Sequence, residues 1–153
     1  MPRLLALLPS VQAIISKEDG TVSLITVMQG VTAAIPEDAV GQNVLLPHPW
    51  AVFAYWMKQV GEEGVTFEQR TELIAASGDV LLSQTAEFVI AKTTHSQIGR
   101  VAALPVPNAR AGEIFYTVRV AIRRAGESDF ETAGEFLLTV VLNVVSSAEA
   151  VSG

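Results

Sequence analysis

The sequence predicts an all-β protein, an antiparallel β-sandwich of about eight strands. Apolar and polar residues alternate with a period of two almost everywhere, the pattern of strands with one buried face. Residues that favour turns separate these runs, and no window of useful length keeps the period of a helix. Together these observations indicate a sandwich or a barrel, and we expect a sandwich.

The first half of the chain is expected to supply four strands. Asp19-Gly20 between the first two runs is a strong hairpin signal, because both residues tolerate positive φ. Gly30 indicates a bulge or a bend. Residues 36–47 are predicted to cross between sheets, and residues 61–64, Gly-Glu-Glu-Gly, to form a hairpin turn. The predicted strands are 4–16, 21–35, 50–60 and 65–75.

The second half is expected to supply four more strands. Residues 77–79 predict a tight turn, residues 93–96 a polar turn, and the proline-containing segment 105–112 a second crossover. Gly134 predicts an irregularity in the last strand. The predicted strands are 80–92, 97–106, 113–124 and 130–145. No repeat or second domain is visible, so we expect one domain over residues 1–145 and a polar tail over 146–153.

Two kinds of strand are present. In the fourth run, Phe67, Gln69 and Leu73 share one face, and a charged row shares the other, so this strand is expected to have one buried and one wet face. The charged row consists of Glu68, Arg70 and Glu72. The third run is apolar on both faces. In a short chain without helices, we expect the second face to be covered by another subunit.

The composition supports that expectation. The chain has 153 residues, of which half are hydrophobic and 17% charged, and its mean hydropathy is +0.39. A spanning helix is not expected, because the longest uncharged stretch, residues 39–57, contains Pro47 and Pro49. The apolar run 4–8 is too short for a secretory signal and is expected to be a strand. Apolar surface shared between subunits is the explanation we favour.

Charge and cysteine content exclude further classes. The formal net charge is −6 and the pI about 4.8, without a cluster of basic residues, so a nucleic-acid partner is not expected. There is no cysteine, which excludes disulfides and thiolate chemistry and fits a cytoplasmic location. No motif for a phosphate, a dinucleotide or a metal is present, so no cofactor is expected.

Four segments carry a family resemblance. They are the opening apolar strand closed by Asp19-Gly20, the Ser-Leu-Ile-Thr-Val run 23–27, the aromatic strand from Pro49 with 67–73 and 78–80, and the Pro-x-Pro stop at 104–107 before the Gly-Glu-Ile-Phe-Tyr start at 112. Read together, they resemble a family of small uncharacterised bacterial β-sandwich proteins, a domain of unknown function. The resemblance covers roughly residues 4–145 and implies a fold, not an activity.

Candidate catalytic residues are few. His48 lies between two prolines and His95 in a polar segment, and nothing in the sequence brings them to a common site. The paired carboxylates, such as Glu18-Asp19 and Glu62-Glu63, are typical of solvated turns. We therefore expect a protein without enzymatic activity.

The aromatic third strand is the candidate functional surface. We expect the protein to self-associate, or to bind a protein partner, through apolar strand faces. The alternative is a ligand-binding sandwich module for a carbohydrate, a peptide or a small apolar molecule, in which an exposed aromatic ring of this strand would contact the ligand. The interface or ligand candidates are Trp50, Phe53, Tyr55, Trp56 and Met57.

Overall fold

The computed structural model describes residues 1–146, and the chain is all-β, as predicted. A single 3₁₀ turn, Glu37–Ala39, is the only helical element within that range. No helix of the described residues has the length and apolarity needed to cross a membrane. The strands are β1 (Arg3–Ile15), β2 (Val22–Val27), β3 (Gly30–Pro36), β4 (Val44–Leu46), β5 (Trp50–Met57), β6 (Thr66–Ala75), β7 (Val80–Val89), β8 (Thr94–Val101), β9 (Leu104–Val106), β10 (Gly112–Arg124) and β11 (Glu131–Val145). Residues 147–153 of the predicted tail lie outside the described range.

The strands form three sheets. One has four strands in the order β2-β1-β5-β8, one has five in the order β3-β11-β10-β6-β7, and β4 pairs with β9 in a small third sheet. Side chains of the two larger sheets meet in one core, where Trp56 of the first contacts Phe88 of the second. This arrangement is consistent with a sandwich-like fold.

Gly30 divides the predicted second strand into two strands that belong to different sheets. β2 pairs with β1, whereas β3 pairs with β11, and this is a parallel pair in a molecule whose other pairs are antiparallel over the described residues. A Cβ on Gly30 would lie 3.0 Å from the backbone oxygen of Thr139, so a larger residue would require this backbone to shift. The predicted bend is therefore a change of sheet.

Two of the predicted turns join hairpins. The β1–β2 and β6–β7 connections are hairpins, as predicted, and the β10–β11 connection is a third. The prediction for residues 61–64 was wrong, because β5 lies between β1 and β8 while β6 lies between β10 and β7. The segment therefore carries the chain from one sheet to the other. Gly61 and Gly64, both with positive φ, permit the tight reversal.

The predicted polar turn at 93–96 was also wrong, because β8 begins at Thr94. Its first residues pair with the end of β5, Thr94 opposite Met57 and Ser96 opposite Tyr55. Backbone pairing along the whole of β5 outweighs the turn preference of these polar residues.

The core contains the inward faces of both large sheets. The predicted inward residues Phe67, Gln69 and Leu73 are buried, as is Thr71 between them. The predicted irregularity in the last strand is a register shift opposite Gly134, where a Cβ would lie 2.6 Å from a methyl carbon of Leu4. The missing side chain lets β1 pack closely on β11.

Tyr116 supplies a pH-dependent contribution to stability. Its hydroxyl donates to the Pro105 carbonyl oxygen (3.0 Å), and burial raises the pKa of Tyr116 above its ordinary value of 10.0. The folded state therefore keeps a proton that the unfolded chain loses above about pH 10, and stability falls as the pH rises through that range.

We expect Tyr116→Phe to lower the free energy of unfolding by about 0.5–1.5 kcal/mol at pH 7, the contribution of one hydrogen bond. Above about pH 10 the difference between variant and wild type should shrink, since phenylalanine has no proton to lose. Urea unfolding of both proteins between neutral and alkaline pH measures this difference. A gap that stays constant or widens with pH would contradict it.

Candidate functional site

β5 is the central strand on which the candidate residues lie. Its inner face is fully buried, with Trp50, Val52, Ala54 and Trp56 each 4% exposed or less. Its outer face carries three half-buried side chains, Phe53, Tyr55 and Met57. Of the five predicted interface residues, the structure therefore places Trp50 and Trp56 in the core and Phe53, Tyr55 and Met57 on a surface.

The two tryptophans belong to the core. The indole nitrogen of Trp56 donates to Gln69 Oε1 (2.7 Å), whose amide nitrogen donates in turn to Thr71 Oγ1 (3.0 Å). The indole nitrogen of Trp50 is buried without a hydrogen-bond partner. Neither tryptophan ring is exposed on this chain, so the outer-face residues Phe53 and Tyr55 are the aromatic candidates for contact with a ligand.

The outer face of β5 is partly covered by the β1–β2 hairpin of the same chain. The hairpin bends between the Ser10–Val27 and Gln12–Ile25 pairs, where Thr26 has a φ of 55°, a left-handed conformation that is unfavourable for a β-branched residue. Beyond the bend, the Arg100 guanidinium on β8 donates to the Ala13 carbonyl oxygen (3.2 Å). Ala51, beside Arg100 on the outer face, is only 2% exposed. The apolar second face of β5 is therefore explained in part by this hairpin.

A cleft of about 580 Å³ opens between the end of the hairpin and the outer face of β5 and β8. Ile15 and Val22 line it on the hairpin side. On the sheet side, Phe53 and Tyr55 lie with ring centroids 6.0 Å apart and planes 19° apart. The Tyr55 hydroxyl donates to Thr94 Oγ1 (3.0 Å). The outer face thus combines aromatic rings with hydroxyl groups in a concave site.

The two histidines are not brought together. His95 lies opposite Trp56 at the end of β5, whereas His48 precedes Trp50 at its beginning. His95 stacks on Phe88 with ring centroids 4.9 Å apart, and its Nε2 lies 3.0 Å from Gln97 Oε1. These contacts are those of a histidine packed at the edge of the core.

The paired carboxylates occupy separate turns. Asp19 accepts from the backbone N–H of Thr21 (2.9 Å), and this hydrogen bond lowers the pKa of Asp19. Glu62 is buried, accepts from the backbone N–H of Gln59 (2.8 Å) and lies 2.8 Å from the Met1 amino nitrogen. No group of three or more acidic or histidine side chains within residues 1–146 is arranged to hold a metal ion.

The predicted charged row on β6 is only partly exposed. Glu72 is 7% exposed, contrary to the prediction, because Arg70 (3.1 Å) and Arg119 (3.8 Å) cover its carboxylate. Arg119 also pairs with the exposed Glu135 (2.9 Å). The arginines come from the same strand and from its neighbour, so this outer face is a charge-balanced network rather than a site with free charge.

Two contacts have no signal in the sequence, one at the β1–β2 hairpin and one on the five-stranded sheet. Arg100 appears in the sequence as an isolated charge, and only the bend of the hairpin brings a carbonyl oxygen to it. Phe130 follows a turn and was not singled out, yet it lies between the guanidinium groups of Arg70 (4.4 Å) and Arg123 (4.3 Å). Neither arginine is close to Phe130 in sequence, so no local pattern indicates these contacts.

Comparisons with known proteins give no family. No family model matches the sequence, and no curated protein matches it significantly. Among solved structures, the chain is similar to the CooA pilin subunit from enterotoxigenic Escherichia coli, with 10% sequence identity and a TM-score of 0.33. The alignment covers 89% of this chain and 99% of the pilin chain. A similarity at this level carries no argument about this protein.

Proposed function

We propose that this chain is a single-domain β-sandwich that has no catalytic activity and assembles with a second copy of itself through the exposed edge of β2. The observation that carries the proposal is the composition of that edge. β2 is the outermost strand of its sheet, and its sequence, Val-Ser-Leu-Ile-Thr-Val, has neither a charge nor a proline. Such an edge offers unpaired backbone groups to another strand.

The other edge strands of the two large sheets carry features that oppose pairing. β3 ends in Pro36, β7 contains Glu87, and β8 contains Arg100. The Arg100 carbonyl also accepts a hydrogen bond from the Gln84 side chain (3.0 Å), which occupies part of the β8 edge. Unlike these three strands, β2 has neither a charge nor a proline to oppose pairing, and its irregularity at Thr26 lies near its end.

The outward side of the hairpin adds apolar area to this edge. Ile14 and Ile25 lie on one side of the β1–β2 ladder and are each 44% exposed. Their burial between two copies would contribute about 25 cal/mol for each Å² of apolar surface removed from water.

Electrostatics favours a second copy at this place. Each chain has a net charge of −6, so two copies repel each other over most of their surface. Between residues 10 and 35 the only charges are Lys17, Glu18 and Asp19, all in the hairpin turn. Antiparallel pairing of two β2 strands about a twofold axis joins uncharged surfaces and extends the four-stranded sheet across both subunits.

The expected result is a dimer of about twice 16.3 kDa by light scattering at micromolar concentration, in equilibrium with the monomer on dilution. Ile25→Lys should shift the equilibrium at least tenfold towards monomer, because it places a charge at the centre of the edge. The matched control is Leu137→Lys on the five-stranded sheet, where the leucine is 60% exposed. This control should leave the dimer intact.

Two outcomes would overturn the proposal. One is a wild-type protein that stays monomeric across the concentration series. The other is a dimer that survives Ile25→Lys but is lost in Leu137→Lys. Circular dichroism checks that both variants are folded, which we expect because both positions are exposed.

The location and the family resemblance stay predictions. A cytoplasmic location and membership of the small bacterial β-sandwich family both agree with a cysteine-free, all-β chain. Neither is needed for the assembly proposed here.

A further inference from the structure

We propose that the cleft beneath the β1–β2 hairpin binds a neutral sugar ring of the pyranose class. This site is separate from the β2 edge, because Ile15 and Val22 face the cleft whereas Ile14 and Ile25 lie on the opposite side of the hairpin. The inference therefore does not depend on self-association.

The first argument is the aromatic surface. Phe53 and Tyr55 project from the same face of β5, half-buried and nearly parallel to each other. They are the large aromatic side chains that line the cleft. A pyranose ring has one side composed of C–H groups, and such a surface packs favourably against an aromatic ring. Aromatic walls combined with a few placed polar groups are typical of small-molecule sites.

The second argument is the arrangement of hydroxyl groups next to the rings. The Tyr55 hydroxyl donates to Thr94 Oγ1, so the hydrogen of the Thr94 hydroxyl is left to donate to another group. Ser96 lies opposite Tyr55 on the neighbouring strand and also lines the cleft. Hydroxyl groups that both donate and accept suit the hydroxyl groups of a sugar.

The third argument is the balance of charge. The charged side chains at the rim are Lys92 and Asp19, one of each sign. The Asp19 carboxylate is already held by the backbone N–H of Thr21, which keeps it an ionised acceptor near neutral pH. A rim with no net charge gives little attraction to an anion or a cation and favours an uncharged, polyhydroxylated ligand.

The size of the cleft agrees with this class. Its volume of about 580 Å³ lies within the range of small-molecule sites and exceeds that of one sugar ring, so a mono- or disaccharide has room. The site is open rather than enclosed, and we expect weak binding, with a dissociation constant on the order of millimolar.

The test is a titration of the full ¹⁵N-labelled chain, followed by amide chemical shifts. The probes are methyl β-D-glucopyranoside, methyl β-D-galactopyranoside and lactose. We expect saturable shifts of amides in residues 19–22, 53–55 and 92–96 with at least one of these sugars. Tyr55→Ala should weaken binding at least tenfold, and Thr94→Val should weaken it several-fold, about the contribution of one hydrogen bond.

The matched control is Phe115→Ala, which removes an aromatic ring that is 45% exposed on the other sheet and should leave sugar affinity unchanged. The Thr94→Val variant keeps the test decisive if Tyr55→Ala fails to fold. The monomeric Ile25→Lys protein should bind sugar as the wild type does, so failure of either proposal is seen separately.

Three outcomes would overturn the inference. The first is that the cleft amides do not respond to any of the sugars at about 100 mM, far above the expected dissociation constant. The second is that the responding amides lie outside the cleft. The third is that tetramethylammonium, a cationic probe for aromatic sites, shifts the cleft amides while the sugars do not.

Discussion

Trp56→Ala is expected to lower the free energy of unfolding by about 3–5 kcal/mol, the cost of removing a large aromatic side chain from a core. Trp56 is fully buried and stacks on Phe88 with ring centroids 6.0 Å apart. Its loss also leaves the Gln69 carbonyl oxygen without its indole donor in a site that is 2% exposed. An unsatisfied buried acceptor adds to the cost of the cavity.

The two tryptophans of β5 provide a matched control for the hydrogen bond. Trp56→Phe keeps much of the ring but removes a buried hydrogen bond, so we expect a cost of about 1–3 kcal/mol. Trp50→Phe removes an indole nitrogen that has no hydrogen-bond partner and should cost less. Urea unfolding of the three variants measures the order. Equal costs for the two phenylalanine variants would show that the Gln69 contact contributes nothing.

The second large effect is expected from Glu72→Ala, which should cost about 1–3 kcal/mol. The Glu72 side chain is 8% exposed and lies between Arg70 and Arg119. Its removal leaves two neighbouring guanidinium groups without the carboxylate that separates them. The arginines are each 36% exposed and can regain water, so the cost stays below that of breaking a fully buried ion pair.

Glu135→Ala is the control, because Glu135 contacts the same Arg119 but is 50% exposed. Exposed ion pairs contribute about 0–1 kcal/mol, and added salt screens them. We therefore expect the cost of Glu72→Ala to persist in 1 M salt, where the screening length is about 3 Å and exposed ion pairs contribute little. If both variants lose the same stability and both losses disappear in salt, the buried position of Glu72 has no energetic consequence.

Local patterns in the sequence predicted the all-β class and most of the strands, but not the short strand β4 or the division of the second predicted strand. Alternation on β6 identified the inward residues, and the Asp19-Gly20 turn identified a true hairpin. Each of these features depends on residues close in sequence, where side-chain periodicity and turn geometry decide the outcome.

The assignment of strands to sheets could not be predicted in the same way. Residues 61–64 have the composition of a hairpin turn, but β5 finds its partners in β1 and β8, far away in sequence. The bend at Thr26 was hidden for a similar reason, since a threonine with positive φ is unfavourable on its own and is maintained by the surrounding packing.

The candidate site was predicted in part. The sequence identified β5 as a strand with two apolar faces and named Phe53 and Tyr55, which do line the cleft. It did not predict that the covering element is the β1–β2 hairpin of the same chain, because a sheet folding back on its own outer face leaves no periodic signal. The hydroxyl groups of Thr94 and Ser96 were assigned to a turn for the same lack of long-range information.

The parallel pairing of β3 with β11 has a kinetic consequence. These strands lie near opposite ends of the described chain, so the five-stranded sheet is completed by one of the most distant contacts in the fold. Contacts between distant segments form slowly, because the chain must first lose conformational entropy to close a long loop. Until they form, the uncharged strand β3 remains without its partner. Refolding and intermolecular strand pairing then compete for the same segment, and the yield of native protein should fall as the chain concentration rises.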